Sequence, residues 1–454
     1  MQAIDSDIVC AKLPILCPAP VFTAHSEEQN KSHIAGEFSG MKRSLFSSGP
    51  WVRPLLALGL ALFTLIIGVL IVFPRQSVTV THAQDDGGIT FMPVQMAPAP
   101  TPTPGPPPQF VKNIPMPKAQ CPNAADFNRV SGLTYVANIY SDNVSVFQDQ
   151  EYLLDLYTGE WPRGMASDPD SARTWVTNLH DGTTLLDGAV QIGLVPRDYE
   201  PYAPAYNPVN GYLYVGDLNG NIQVIDGSQL VTTIQVVDPI TGNKGGWILS
   251  VVVDSRTGLV YASSWQFGRL YVIDGTEVID SVLTGTGAQD MAFDEVRGLI
   301  YIAHRSPSFE YPHDISVVDL ATRSVTFVDP FPMQTDRAQE VALDVANGLA
   351  YFTNPDIDSV TVVQGTNLVA RIPVGNEPWG IAVNPNDGYV FAANRKSNDV
   401  SILRNGALLD TVEVQGRDPV AVSVDTINND IYIANRGEAV GSAECEKASV
   451  TILH

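Results

Sequence analysis

The chain is poor in basic residues, with 26 Lys and Arg against 49 Asp and Glu among 454 residues and a formal net charge of -23. Binding a nucleic acid requires clustered Lys and Arg that displace counterions, so this balance argues against a nucleic-acid partner. Only 17% of the residues are charged while 44% are apolar, which excludes disorder along the whole length. The 36 Gly and 33 Pro indicate many turns and exclude an all-α fold.

Signatures of catalysis are also missing. His-Glu-x-x-His, Cys-x-x-Cys-His and Gly-x-Ser-x-Gly do not occur, and Gly285-Thr286-Gly287 lacks the third glycine of a dinucleotide loop. The sequence therefore leaves enzymatic activity undecided and favours a non-catalytic role. It predicts no cofactor, with a divalent cation as the one open candidate.

One long apolar segment is present, at residues 54–74, where 21 consecutive residues are uncharged. A helix of that length spans roughly 30 Å, the thickness of a bilayer core. Lys42, Arg43 and Arg53 precede the segment and only Arg75 follows it closely. The positive-inside rule therefore predicts a single-pass membrane protein with a cytoplasmic, largely disordered tail at residues 1–53 and the remainder outside the cytoplasm.

An alternative for this segment is a cleaved signal peptide, with small residues ending at Ala83 as the cleavage site. The chain is then secreted instead of anchored. Met41, followed by two basic residues, resembles a natural start, so the sequence leaves both Met1 and Met41 open as initiators. Residues 75–109 follow as a Pro-rich extracytoplasmic linker, whose stretch from Ala97 to Pro108 would extend roughly 35 to 40 Å as polyproline II.

An internal repeat occupies the rest of the chain. An Asp or Asn stands seven residues before an aromatic residue eight times, and Gly stands three residues before the aromatic in six of the eight. The pairs are Asn128 and Tyr135, Asp168 and Trp175, Asn207 and Tyr214, Asp254 and Tyr261, Asp294 and Tyr301, Asp344 and Tyr351, Asn384 and Phe391, and Asp425 and Tyr432. The repeats are spaced by 39 to 50 residues, and each unit except the last contains four short strand patterns. Four-stranded sheets that bury their faces against neighbours around an axis form a β-propeller.

The repeat resembles the YVTN β-propeller repeat family. The motifs that carry the resemblance are Tyr135-Val136-Ala137-Asn138, Trp175-Val176-Thr177-Asn178, Tyr351-Phe352-Thr353-Asn354 and Tyr432-Ile433-Ala434-Asn435. The resemblance covers residues 110–454 and implies a surface-layer, secreted or periplasmic propeller of bacteria or archaea. No Trp-Asp dipeptide occurs, so the WD40 class fits less well. Seven blades are common in the YVTN family, whereas eight repeats predict eight blades here, with seven as the alternative.

Two groups of residues have the chemistry of metal ligands. Asn354, Asp356 and Asp358 alternate oxygen ligands as calcium loops do, but no Gly or Glu stands where such a loop requires it. His304, Glu310, His313 and Asp314 lie in the longest insertion between repeats and have side chains suited to a transition metal. Both remain weak candidates beside the ordinary interpretation as turn residues.

The stronger candidate is a surface at the mouth of the channel. Loops that enter the innermost strand of each blade gather around the channel, and the position five residues before the repeat Asp or Asn lies there. Arg, Tyr and Trp are enriched in binding hot spots. The candidate binding residues are Arg163, Tyr202, Gln289, Asp290, Gln339, Glu340 and Trp379. Aromatic packing around a solvated channel mouth is the alternative interpretation.

These features predict a membrane-tethered, extracytoplasmic propeller that binds a protein or glycan of the cell envelope as a scaffold. The alternative is a propeller enzyme such as a lactonase or a dehydrogenase-like subunit, suggested by other propeller families alone. From residue 110 onward the chain has 20 basic and 42 acidic residues, so the acidity belongs to the propeller.

Two expectations concern ring closure. The last repeat stops after its third strand, residues 449–453, and residues 110–116 resemble the fourth strand of another repeat, so the N-terminal strand is expected to complete the last blade. Cys121 and Cys445 are the two cysteines after the membrane segment, on loops expected at the same face and the same seam. In an oxidising compartment this predicts a Cys121–Cys445 disulfide.

Overall fold

The computed structural model describes residues 105–454 except 245, 306–313, 329–336 and 441–443. The predicted tail, membrane segment and most of the linker lie outside these residues. Within the described ranges, no helix has the length and hydropathy needed to cross a bilayer.

The described residues form eight four-stranded antiparallel sheets, each a blade. Strands are numbered along the chain, beginning with β1 (Phe110–Pro115), and blades 1 to 4 are formed by the next sixteen. These are β2 (Pro122–Asn128), β3 (Leu133–Asn138), β4 (Asn143–Gln148) and β5 (Glu151–Tyr157); β6 (Pro162–Ser167), β7 (Arg173–Asn178), β8 (Gly182–Asp187) and β9 (Val190–Pro196); β10 (Pro201–Tyr206), β11 (Tyr212–Asp217), β12 (Asn221–Asp226) and β13 (Gln229–Gln235); and β14 (Ile248–Val253), β15 (Val260–Ser264), β16 (Arg269–Asp274) and β17 (Glu277–Leu283).

Blades 5 to 8 follow the same plan. They contain β18 (Ala288–Asp294), β19 (Leu299–His304), β20 (Ile315–Asp319) and β21 (Ser324–Val328); β22 (Val341–Asp344), β23 (Leu349–Asn354), a 3₁₀ turn (Pro355–Ile357), β24 (Ser359–Gln364) and β25 (Asn367–Pro373); β26 (Pro378–Val383), β27 (Val390–Asn394), β28 (Asp399–Arg404) and β29 (Ala407–Glu413); and β30 (Pro419–Asp425) and β31 (Asp430–Asn435), with β34 (Ser449–Leu453) and β1. A separate hairpin, β32 (Glu438–Val440) and β33 (Glu444–Glu446), is inserted between β31 and β34.

The blades form a closed ring. Each innermost strand contacts the innermost strand of the next blade, in the order β2, β6, β10, β14, β18, β22, β26 and β30, and β30 contacts β2. The prediction of an eight-bladed all-β propeller is therefore confirmed, and the seven-bladed alternative is wrong. The innermost strands surround the central channel.

The repeated Asp or Asn shapes the turn between the first and second strands of each blade. Asn128 Oδ1 accepts hydrogen bonds from the backbone N–H groups of Val130 and Ser131, both at 3.0 Å, and each of the other seven repeat Asp or Asn residues accepts at least one such bond in the same turn. Gly132 ends this turn with φ of 67°, a conformation that glycine adopts without steric cost. The spacing of Asp or Asn, Gly and aromatic therefore encodes a hairpin turn.

The repeated aromatic residue connects each blade to the next. All eight aromatic side chains are at most 3% exposed. Tyr135 in blade 1 donates to Gly188 O in blade 2 at 3.0 Å, and Trp175 Nε1 in blade 2 donates to Gly227 O in blade 3 at 2.8 Å. At the seam, the Gln150 N–H in blade 1 donates to the Tyr432 hydroxyl of blade 8 at 3.0 Å. The eight aromatics thus bury a large apolar surface between neighbouring sheets, and Tyr135, Trp175 and Tyr432 also form a hydrogen bond with the neighbouring turn.

The Asn that ends the YVTN-like motif connects the second and third strands. Asn394 Nδ2 donates to Ser401 Oγ at 3.0 Å, and Asn178 Nδ2 donates to Thr184 Oγ1 at 3.1 Å. Because these side chains are buried, a missing partner would leave a desolvated amide. The pairing explains why Ser or Thr recurs in the third strand.

The N-terminal strand completes the last blade, as predicted. β1 pairs antiparallel with β34, with Phe110 opposite Leu453 and Ile114 opposite Val450. Met116, 1% exposed, packs with core residues of blades 8 and 1. The open edge that the last repeat would otherwise present is thereby covered.

A disulfide joins the same seam. Cys121, directly before β2, is bonded to Cys445 in β33, with their Cα atoms 5.1 Å apart and a sequence separation of 324. The predicted pairing is confirmed, and the inserted hairpin is the element that carries the second cysteine to the first blade.

Deletion of residues 110–116 is expected to lower the free energy of unfolding by on the order of 5 kcal/mol, because it removes a strand and exposes apolar core surface. The variant is also expected to aggregate through the uncovered edge of β34. Urea unfolding and light scattering measure both effects. Deleting seven residues of the Pro-rich segment, 98–104, serves as the control, and an unchanged midpoint in the first variant would contradict the structural role of β1.

Replacing Cys121 and Cys445 together by Ser is expected to cost about 3 to 5 kcal/mol, because the bridge restricts a very long loop in the unfolded chain. Thermal unfolding without reductant measures the loss. The matched control replaces Cys10 and Cys17 by Ser. Peptide mapping of the unreduced wild type checks the pairing, and a digest in which Cys121 and Cys445 both carry free thiols would refute it.

Candidate functional site

The innermost strand begins with a β-bulge in seven of the eight blades. In blade 2, Pro162 pairs with Asn178 and Gly164 with Thr177, so Arg163 is skipped. A bulge leaves its extra residue unpaired and changes where its side chain is directed. The skipped residues are Asn123, Arg163, Tyr202, Leu249, Gln289 and Val420, and in blade 7 Trp379 with Gly380.

These bulges coincide with the positions singled out in the sequence. We call the end of the channel where the innermost strands begin the entry mouth. In blade 6, Gln339 lies just before β22, and its backbone N–H donates to Thr353 O at 2.9 Å. Loops between second and third strands emerge at the same end, because consecutive strands of a blade are antiparallel.

Arg163 lies against two aromatic rings. Its guanidinium carbon is 5.8 Å from the ring centroid of Trp161 and 5.9 Å from that of Tyr202. These are cation–π distances. Its buried Nε atom has no hydrogen-bond partner.

Trp379 has two guanidinium groups over its ring. Those of Arg305 and Arg395 lie 4.5 and 4.6 Å from the ring centroid. Arg395 is also paired with Glu377 at 2.8 Å and with Asp418 through two contacts of 2.7 and 3.2 Å. Its position is therefore rigidly defined from three sides.

Among the described residues, the hydrogen-bond partner of the Arg305 side chain is neutral, because its Nη1 donates to Gln339 Oε1. Arg436 is similar, since its Nε donates to Pro122 O at 3.2 Å. Burial is the largest cause that lowers the pKa of both guanidinium groups. Neighbouring arginines lower the pKa further, Arg337 and Arg395 for Arg305 and Arg395 and Arg163 for Arg436, whereas Asp356 and Asp418 partly oppose the decrease. The charge of Arg305 also interacts electrostatically with Tyr202.

The structure thus brings together residues of blades 2, 3, 5, 7 and 8. We call Arg163, Tyr202, Arg305, Trp379, Arg395 and Arg436 the arginine–aromatic cluster. Sequence reasoning found three of them and missed Arg305, Arg395 and Arg436. A signal was available, because each of the three directly follows the last residue of a second strand, a repeat position whose loop reaches the entry mouth.

Asp290 follows the bulge of blade 5, Glu340 occupies the corresponding position in blade 6, and both connect blades. Asp290 Oδ2 accepts the Val341 N–H at 3.1 Å, and Glu340 Oε2 accepts the Ile381 N–H at 3.3 Å. One blade earlier, Ser250 Oγ accepts the Met291 N–H in the same way. Burial raises the pKa of Asp290 to about 6. Burial, followed by the charge of Asp290, raises the pKa of Glu340 to about 8.

Gln289 and Gln339 differ in their surroundings. Gln339 is 4% exposed and holds Arg305, whereas Gln289 is half-buried at the bulge of blade 5. The cluster and the carboxylates therefore form two layers: charged and aromatic side chains at the entry mouth, and interblade carboxylates one position further along the strands.

The three residues of the first weak metal candidate, Asn354, Asp356 and Asp358, each contact a different partner. Asn354 Oδ1 accepts a hydrogen bond from Thr361 Oγ1 at 2.7 Å, Asp356 pairs with Arg337 at 3.0 Å, and Asp358 Oδ1 accepts the Glu377 N–H at 2.7 Å.

In the second weak candidate, the His304 ring nitrogens contact Thr286 O at 2.9 Å and Ser316 Oγ at 2.8 Å. Asp314 O accepts the His304 N–H at 2.8 Å. Glu310 and His313 lie outside the described residues. Among the residues that are described, no three His, Cys, Asp or Glu side chains are grouped as metal ligands.

The other end of the channel has a different character. A cavity of about 730 Å³ opens there between blades 1, 2, 7 and 8. The Asp126 carboxylate in it accepts a hydrogen bond from Ser167 Oγ at 2.6 Å, and burial raises its pKa. Arg129 is the basic residue of its lining.

No protein-family model and no curated protein sequence matches the chain. Solved structures are similar in fold. A hydrazine synthase of Kuenenia stuttgartiensis is 16% identical, with a TM-score of 0.53 over 63% of this chain and 96% of that one. BamB of Moraxella catarrhalis is 14% identical, with a TM-score of 0.54 over 76% of this chain and 99% of that one. These likenesses show the propeller fold, and membership of the YVTN family stays a prediction.

Replacing Glu340 by Gln is expected to change how stability depends on pH. The folded state raises the Glu340 pKa from 4.5 to about 8, so folding favours the protonated carboxyl. The stability it contributes is present at low pH and is lost as the pH rises from about 4.5 through 8. Gln retains an acceptor for Ile381 without titrating. The variant should be more stable than the wild type at pH 8.5 by about 1 to 2 kcal/mol, since partial exposure screens the effect.

Urea unfolding between pH 5 and 9 measures this difference. The slope should become flatter without vanishing, because Asp290 still titrates in the same direction. Glu413→Gln, at an exposed position of the outer strand β29, is the control. An identical slope in wild type and Glu340→Gln would show that Glu340 is not protonated by folding.

Proposed function

We propose that this chain is a membrane-tethered, extracytoplasmic propeller that binds another component of the cell envelope, a protein or a glycan, at the entry mouth. The observation that carries the proposal is the placement of Trp379 under the guanidinium groups of Arg305 and Arg395. Trp, Tyr and Arg are the side chains most enriched in interface hot spots. Here they come from separate blades and gather around one opening.

The rigidity of the cluster supports a binding role. Arg395 is held by two carboxylates, and Arg305 by Gln339, so little side-chain entropy remains to be lost when a partner binds. Bulges at the strand starts present Arg163, Tyr202 and Trp379 from a rigid scaffold. A site on strand termini is positioned more accurately than one on long loops.

The sequence and the seam support the proposed compartment. An apolar segment at residues 54–74 with preceding basic residues is typical of a signal-anchor, and disulfides persist in oxidising compartments outside the cytoplasm. The Cys121–Cys445 bridge and the resemblance to YVTN propellers support the same location. A Pro-rich linker would separate the propeller from the membrane.

A second candidate is enzymatic and rests on Asp290 and Glu340. A carboxyl group with a pKa of about 8 beside one of about 6 can donate and accept protons near neutral pH, and one protein of similar fold is a hydrazine synthase. Both carboxylates accept backbone N–H groups of the next blade, which favours a structural role. Metal analysis of the purified chain discriminates the two candidates. Stoichiometric calcium or transition metal favours the enzyme, and its absence favours the binding module.

The binding proposal predicts loss of a partner when the cluster is truncated. Replacing Arg163, Tyr202 and Trp379 together by Ala should reduce recovery of the cross-linked partner from membranes at least tenfold, because central anchors supply most of the binding free energy. The matched control replaces Arg129, Val296 and Ile427 by Ala. All three are exposed at the opposite end of the channel, so this variant should still recover the partner. Equal recovery by both variants would place the site elsewhere.

A further inference from the structure

Three arginines of the arginine–aromatic cluster form no ion pair with the described residues, although the charge of Asp356 acts on Arg305 and that of Asp418 on Arg436. The propeller as a whole has 20 basic against 42 acidic residues, so carboxylates are abundant. Yet within the described ranges Arg163, Arg305 and Arg436 form no ion pair, whereas Arg395 forms two. Arginines with no directly paired carboxylate among the described residues can therefore accept one from a bound partner.

The hydrogen-bond donors of these three arginines are also largely unused. A guanidinium carries five N–H donors in a planar fork. Among the described residues, Arg305 uses one on Gln339, Arg436 uses one on Pro122, and Arg163 uses none. A carboxylate accepts two parallel hydrogen bonds from such a fork, so each arginine can take one acidic group without breaking an existing contact.

Mutual repulsion among the arginines of the cluster also favours the binding of an anion. Arg163, Arg395 and Arg436 are close enough for their charges to interact, as are Arg305, Arg337 and Arg395. Stacking on Trp and Tyr rings partly offsets this repulsion through cation–π attraction. A bound anion would offset it more fully, and arginine is the residue suited to such partly buried ion pairs.

We propose that the entry mouth binds carboxylate groups of an acidic peptide segment, with Arg163, Arg305 and Arg436 as the three anchoring residues. The inference rests on the proposed function and defines the chemistry of the partner. A protein segment is favoured over a neutral glycan because Trp379, the largest ring of the cluster, already has two guanidinium groups over it. A sugar ring needs an open aromatic face to stack.

The test uses the purified full-length chain and a fluorescein-labelled peptide of alternating Glu and Gly, with a Gln–Gly peptide of equal length as the neutral probe. Fluorescence anisotropy should show at least tenfold tighter binding of the Glu peptide. Raising NaCl from 50 to 500 mM should weaken that binding at least tenfold, because salt screens exposed charges. Equal binding of both peptides, or no binding of the Glu peptide, overturns the inference.

Replacing Arg163, Arg305 and Arg436 together by Gln should weaken Glu-peptide binding at least tenfold. The matched control replaces Arg129, Arg173 and Arg323 by Gln, which changes the net charge equally at exposed positions of the opposite end. Equal loss in both variants would mean a nonspecific charge effect and overturn the site. Arg163→Gln alone, which removes no hydrogen bond among the described residues, should weaken binding severalfold and covers the case in which the triple variant does not fold.

Two further outcomes separate this inference from the proposed function. An oligosaccharide of uronic acids that binds more tightly than the Glu peptide would overturn the peptide as the source of carboxylates. If no acidic probe binds but the envelope partner is still lost with the Arg163, Tyr202 and Trp379 variant, the carboxylate inference fails and the proposed function stands. If that variant retains the partner, both fail.

Discussion

The contact between the repeated aromatic residue of one blade and the outer turn of the next is the interaction on which the rest of the structure depends. A four-stranded sheet cannot bury both of its faces alone, and the buried aromatics fill the space between sheets. Tyr432 makes this contact across the seam to Gln150, so the last blade is joined to the first by the same device. The channel, its bulges and the loops at the entry mouth are positioned only because the ring closes.

The sequence predicted the features that a repeat or a local pattern can encode. The Asn or Asp turn, the buried aromatic and the closing strand each recur at fixed spacing or resemble another unit, and eight blades followed from eight repeats. The disulfide followed from topology, because both cysteines lie on loops of the same end and seam. The cluster at the entry mouth was predicted in part. Which side chains meet across a channel depends on ring size and blade twist, which spacing along one chain does not contain.

Asp290 and Glu340 show a different limit of sequence reasoning. Both were placed among the binding residues, since carboxylates beside Arg and Trp resemble a site. The structure shows them accepting backbone N–H groups of Val341 and Ile381, a contact that Ser250 makes with its hydroxyl one blade earlier. Innermost strands that have Gly or Ala at this position have no side chain that can accept such a hydrogen bond. The same residues thus connect blades, and their proton affinity is a consequence of that burial.

The pairing of β1 with β34 has a consequence for the timing of synthesis. Among the strands of the propeller, β1, which completes the last blade, is translated before all the others, and its partner, Ser449–Leu453, is translated after them. The ring therefore cannot close until Ser449–Leu453 has left the ribosome, and β1 remains without its native neighbour while seven blades are translated. An exposed strand of this kind is a hazard for misassembly. Its Lys112 and Pro115, together with the proline-rich sequence before it, are residue types that blunt pairing with foreign edges during that interval.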